Sequence, residues 1–159
     1  MKSVLISIRP KWVEKIANGK KTIEVRKTRP KIETPFKCYI YMSQGDFKDL
    51  GSYSEWIYKN RMKVVGEFVC DKIIKDERGE NADLFATQAG LSLEEQKYYG
   101  KNKSLYGWHI SELKIYDKPK ELSEFCITFK FSFENCKNPL YFECLCEGKG
   151  EKIVTRPPQ

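Results

Sequence analysis

The chain has 159 residues, the length of one domain with a core of its own. Hydrophobic residues at 40% and charged residues at 32% exclude wholesale disorder, and no apolar run nears the roughly 18 residues of a membrane-crossing helix. The net charge of +7 is concentrated: residues 1–31 hold ten cations against two anions, whereas residues 32–159 hold 19 cations and 20 anions. Charge gathered in one segment points to an anionic partner such as phosphate or nucleic acid, the plain alternative being a solvated basic face.

In chain order, Val4 to Ile8 alternates as a short strand. Its N-terminal apolar patch is too short for a signal peptide, so a cytoplasmic protein without a membrane anchor is expected. Arg9-Pro10 opens a helix, since proline loses little at a first helical position. Trp12, Val13, Ile16 and Ala17 form its apolar face, and Asn18-Gly19 supplies a left-handed stop. A strand follows over residues 20–27. There Ile23 and Val25 point one way, and Thr22, Glu24 and Arg26 the other. Pro30 and Pro35 bracket a loop before a third strand, Lys37 to Met42.

A short helix is expected around Tyr53 to Asn60, then a long strand from Lys63 to Lys75 with a bulge at Gly66. Two short helices flank Gly90, over 81–89 and 92–99. The second is opened by Ser92 and Glu95 as a capping box. Another strand covers 104–116, and residues 118–125 read as a turn with a helical cap. A further strand is expected at Lys152 to Arg156. Regular β-α alternation fails after residue 30. The order therefore favours an α+β fold, mainly antiparallel and curved or barrel-like, in a single domain over 1–159. Its core spans about 1–125, with a Cys-rich extension over about 126–159.

Cys38 and Cys70 lie in β-like apolar runs and read as small core residues. Cys136, Cys144 and Cys146 offer two readings, a structural zinc site or reduced thiols. The loose spacing and the lack of a nearby histidine favour thiols, and neither metal nor other cofactor is expected.

The basic segment also holds the chemistry. Arg9, Lys11, Lys20, Lys21, Arg26, Lys27 and Arg29 are candidates for phosphate contacts, whose strength would fall steeply with salt. Tyr41, Trp108 and His109 are candidates to stack on or hydrogen-bond to an unpaired base, or else to pack in the fold. Thr22, Glu24 and Arg26 form a polar stripe, with Ser7 on the preceding strand completing the set. A carboxylate flanked by Lys and Arg could accept a base's exocyclic amine or act as a general base.

The segment VLISIRPKWVEKIANGKKTIEVRKTR (4–29) resembles the ASCH domain of the PUA-like superfamily. The pattern is an I-x-P-K strand-to-helix start, a helix ending in N-G, then G-K-K-T-I-E-V-R-K. CYIYMS (38–43), VVGEF (64–68) and YGWHISELKIYDKPKELSEF (106–125) follow in the family's order, so the resemblance covers roughly 1–125. The tail IVTRPPQ resembles an extension in Firmicute and phage relatives. The resemblance implies a PUA-like β-barrel flanked by short helices that binds RNA or modified nucleotides beside the G-K-K-T-x-E-x-R strand. It also implies an alternative, since some relatives are amidohydrolases on N4-acetylcytidine and others ribonucleases. Here Lys21, Glu24 and Arg26 would carry such an activity. In the amidohydrolase branch a catalytic Lys matches Lys21, but the nucleophilic Thr is replaced by Glu24 and the catalytic Glu by Ala89. RNA or a nucleotide is the expected partner, and the extension offers a surface for a protein partner.

Overall fold

The computed structural model describes residues 3–125 and the strand at 140–142. Ser3–Ile8 forms β1, and Pro10–Ala17 forms α1 with proline in its first turn. Gly19, at φ 77°, turns the chain where a side chain would be strained. Ile23–Arg26 is β2, Phe36–Met42 is β3, Glu55–Asn60 is α2 and Lys63–Asp76 is β4. Ala82–Gln88 and Leu93–Gly100 are α3 and α4, Leu105–Glu121 is β5 and Leu140–Phe142 is β6. Short 3₁₀ turns occupy Phe47–Ser52 and Leu122–Glu124. None of the described helices is long and apolar enough to cross a membrane.

The strands form one sheet in the order β2-β5-β4-β3-β1-β6, with β1 and β3 parallel and the other pairs antiparallel. Alternation on β3 sets the two faces. Phe36, Cys38, Ile40 and Met42 enter the main core with Val4, Ile6 and Ile8 of β1, Val13 and Ile16 of α1, and Trp108 of β5. Tyr39 turns to the other face, against Leu5, Val64, Tyr116 and Phe125. Burying Val13 and Ile16 fully contributes about 1.5–3 kcal/mol each, which fixes α1 on the sheet. A third cluster, Ile23, Val25, Phe85, Ala89 and Leu105, fastens α3 over β2 and β5.

The sequence suggested a barrel; the described sheet is open. β2 and β6 are its edges, and no backbone ladder joins them. Yet the Arg26 guanidinium Nη2 on β2 donates to the Ser7 carbonyl on β1 at 2.7 Å. Four strand spacings separate β2 from β1, about 19 Å in a flat sheet and far beyond an arginine's reach. The sheet therefore curls until a side chain bridges the gap that a ladder would have closed. β2 has only four residues, a short edge on which to build such a ladder.

Most elements lie where the sequence placed them, including the Ser92–Glu95 capping box and the register shift at Gly66. A Cβ at Gly66 would stand 2.5 Å from the Lys114 carbonyl, so the close approach of β4 and β5 requires glycine. Two segments differ. β2 begins at Ile23, not Lys20, and β5 runs on to Glu121, into the segment 118–125 expected as a turn with a helical cap, because Lys120 and Glu121 pair with Val64 and Lys63. Cys38 and Cys70 are buried, unpaired thiols. Cys136, Cys144 and Cys146, the possible protein-docking extension and the strand expected at 152–156 lie outside the described residues. Among the described residues no cluster could hold a metal ion.

Candidate nucleotide-binding cleft

Ile23 and Val25 anchor β2 against Phe85 and Ala89, so Glu24 and Arg26 must face the opposite way, toward the gap between β2 and β1. The chain just before β2 is fixed by the end of α3. The Thr22 amide donates to the Gln88 carbonyl at 2.8 Å, and the Lys21 ammonium donates to the Ala89 carbonyl at 2.9 Å. Terminal helix carbonyls carry partial negative charge, which suits a cation there.

Lys21 is only 3% exposed and Glu24 only 7%. Glu24 Oε2 lies 3.4 Å from Lys21 Nζ, and its Oε1 lies 3.2 Å from Arg26 Nε. The Arg26 Nε contact is an ion pair without an aligned hydrogen bond, whereas Nη2 is the atom that holds Ser7. One carboxylate thus stands between two cations, each also tied to a distant backbone carbonyl. Burial lowers the Lys21 pKa below its usual 10.5; Glu24 opposes this, and Arg26 and Lys15 add to it.

Around this triad lie aromatic rings bearing lysines. Lys11, Lys15 and Lys21 place their ammonium groups 4.4, 5.0 and 4.9 Å from the centre of the Trp12 ring. Lys27 stands 4.6 Å over Tyr99 of α4. Tyr99 is partly buried and within electrostatic reach of Arg26, Glu24 and Arg9; burial raises its pKa. Arg9 is exposed and pairs with Asp46 at 3.3 Å.

A family model for the ASCH domain matches residues 6–120. The chain belongs to the ASCH domain family. Crystal structures of the ASCH protein from Zymomonas mobilis resemble this ASCH domain in fold. One, a Tyr-to-Phe variant, has 18% identity and a TM-score of 0.60, covering 77% of this chain and 78% of its own. The Zymomonas mobilis ASCH protein itself has 18% identity and a TM-score of 0.59, covering 76% of this chain and 74% of its own. A Ser-to-Ala variant has 18% identity and a TM-score of 0.60, covering 76% and 75%. No curated protein matches the sequence significantly.

In this ASCH domain the motif residues Lys21, Glu24 and Arg26 meet, with Ser7 joining through its carbonyl and not its hydroxyl. Thr22 lies beside them, its hydroxyl 3.4 Å from Gln88 Oε1. Ala89 supplies a backbone carbonyl to Lys21. Lys11 and Lys27 are exposed, the first over the Trp12 ring and the second over Tyr99. Lys20 is exposed in the connector, and Arg29 is exposed and 4.0 Å from Glu33.

The three candidate stacking residues are engaged elsewhere in the fold. Trp108 pairs with Glu24 across the strands, but its ring is 0% exposed and meets Phe36 edge-on at 5.7 Å. It is a core residue. Tyr41 packs with the cluster on the other face of the sheet, and burial raises its pKa. His109 pairs with Ile23, which puts it on the α3 side, where its Nδ1 lies 2.6 Å from Asp71 Oδ1. The rings beside the triad are instead Trp12 and Tyr99. Helical spacing places Trp12 on the apolar face of α1 and Tyr99 in a short helix, without marking either as a site residue. The available signal was the lysine on either side of Trp12, at positions 11 and 15.

Proposed function

We infer that this ASCH domain binds RNA or a modified nucleotide in the cleft between β1 and β2, with the exposed lysines holding phosphates and Glu24 reading a base. The observation that carries this reading is the Glu24 carboxylate, nearly buried between Lys21 and Arg26 inside the most basic part of the chain. A site for phosphate alone has no use for a carboxylate at its centre. Each carboxylate oxygen has two acceptor positions, so the two cations leave room for a base's exocyclic amine. The surrounding Lys11, Lys15 and Lys27 supply the phosphate contacts that dominate nucleic-acid affinity.

Fluorescence anisotropy with a labelled oligoribonucleotide tests this. Affinity should fall steeply between about 50 and 200 mM salt. It should also fall in a Lys11→Ala, Lys27→Ala double variant that keeps the native fold. Unchanged affinity in that variant would reject the reading.

One observation favours a hydrolase acting on a modified pyrimidine nucleoside or on RNA. Lys21, with its pKa lowered by burial, sits beside a carboxylate, the composition of an acid–base pair. Incubation with N4-acetylcytidine or RNA separates the two readings. Product that disappears in Glu24→Gln supports catalysis, and binding without product supports a binding module.

A further inference from the structure

The α1 helix buries Val13 and Ile16 completely, but Trp12 only partly. Three ammonium groups converge on its ring, from Lys11, Lys15 and Lys21. Of these, only Lys21 has a carboxylate within 4.0 Å among the described residues. Packing alone does not need such an arrangement, because three like charges around one ring repel one another. Burial is the main cause that lowers the Lys21 pKa, with Arg26 and then Lys15 adding to it. The ring also adjoins the triad, through Lys21. A Cβ built at Gly90 would lie 3.6 Å from Trp12 Cζ3 and 3.5 Å from Lys15 Nζ, and the neighbouring Ala89 carbonyl holds Lys21.

We propose that Trp12 is the surface on which a base of the bound nucleotide stacks, with Lys11 and Lys15 as the paired phosphate clamp beside it. This rests on the nucleic-acid reading above and deepens it. A nucleotide combines the two properties this station lacks in the free protein, a second π-face and negative charge. Stacking uses the flat indole, and lysines released from its face reach the phosphates on either side of the base. Binding also relieves the mutual repulsion of the lysines, so ring and clamp act together. A bare polyanion would engage the lysines but gain nothing from the indole.

The test compares two probes, an oligoadenylate of about eight nucleotides and inorganic polyphosphate, against Trp12→Leu, Trp12→Phe and Lys11→Ala, Lys15→Ala proteins. Trp12→Leu should weaken oligoadenylate binding about tenfold, and Trp12→Phe should retain most of it. Polyphosphate affinity should be unmoved by Trp12→Leu and reduced by the double lysine variant. Wild-type tryptophan emission should be quenched by oligoadenylate, and that quenching should be absent from Trp12→Phe, which settles the matter if Trp12→Leu does not fold. The proposal is overturned if folded Trp12→Leu binds oligoadenylate as wild type does, if it loses both probes equally, or if the quenching survives in Trp12→Phe. Wild-type protein that binds neither probe overturns the nucleic-acid reading itself, and the Trp12 station with it.

Discussion

The Lys21 ammonium lies 3.4 Å from the Glu24 carboxylate and 2.9 Å from the carbonyl of Ala89, joining the edge strand of the sheet to the end of α3. A buried cation with two acceptors, and a carboxylate with two cations, cannot lose a member without leaving charge unbalanced.

Replacing Glu24 with Gln should therefore cost about 3 kcal/mol of stability, because it strands Lys21 and Arg26. Adding Lys21→Met to Glu24→Gln should recover part of the loss. Chemical denaturation of the two single variants and the double variant gives the coupling energy, expected at about 1 kcal/mol or more. A strictly additive cycle would show that the pair does not interact.

The lowered pKa of Lys21 makes a signed pH prediction. Between that lowered value and 10.5 the unfolded chain binds more protons than the folded one, so stability from this group rises with pH across the window. The penalty is fully present below the folded pKa. Tyrosines also titrate in alkali, so the relevant quantity is the difference between wild type and Lys21→Met. Wild type should gain on the variant as pH approaches 10.5, as read from denaturation midpoints.

Gly107→Ala should destabilise the domain by about 1–3 kcal/mol through overpacking. Its Cβ would stand 2.6 Å from the Phe85 ring and 2.8 Å from Ile23 Cγ2. The clash would push α3 away from β2 and pull Ala89 from Lys21. Both the unfolding midpoint and oligonucleotide affinity should fall, whereas Gly79→Ala, a positive-φ glycine with open space around its Cβ, should lower the midpoint only.

The core thiols should be inert. Burial pushes the Cys38 pKa well up and the Cys70 pKa to about 12, leaving almost no thiolate near neutrality. Alkylation at pH 8 followed by peptide mass spectrometry should find both unlabelled in native protein and labelled once it is unfolded.

The β1–α1–β2 unit was legible because its punctuation is local. Pro10 opens the helix, Gly19 ends it, and alternation on β2 sorts Ile23 and Val25 from Glu24 and Arg26. The Lys21–Glu24 pair was harder to foresee. In a strand running from Lys20, residues 21 and 24 would face opposite ways; with β2 starting at Ile23, Lys21 turns back beside Glu24. For Trp108, Tyr41 and His109 the sequence left stacking and packing both open. Which side of a sheet a residue faces depends on register, and the β4–β5 ladder shifts at three points, including between Cys70 and Ile73. No single-strand pattern carries that information. The Arg26–Ser7 contact is longer-range still, since it exists only once the whole sheet has curled.

That contact gives the molecule an unusual kind of fastening. A closed barrel resists parting with a row of backbone bonds, all of which must yield together. Here, among the described residues, the bond seen across the gap is that from the Arg26 guanidinium to Ser7. Undoing it costs on the order of 1.5–3 kcal/mol, a level that thermal fluctuation crosses readily. Parting β1 from β2 would thus leave every ladder in the described sheet intact, and what resists it is the Arg26 contact together with the core packed between the strands.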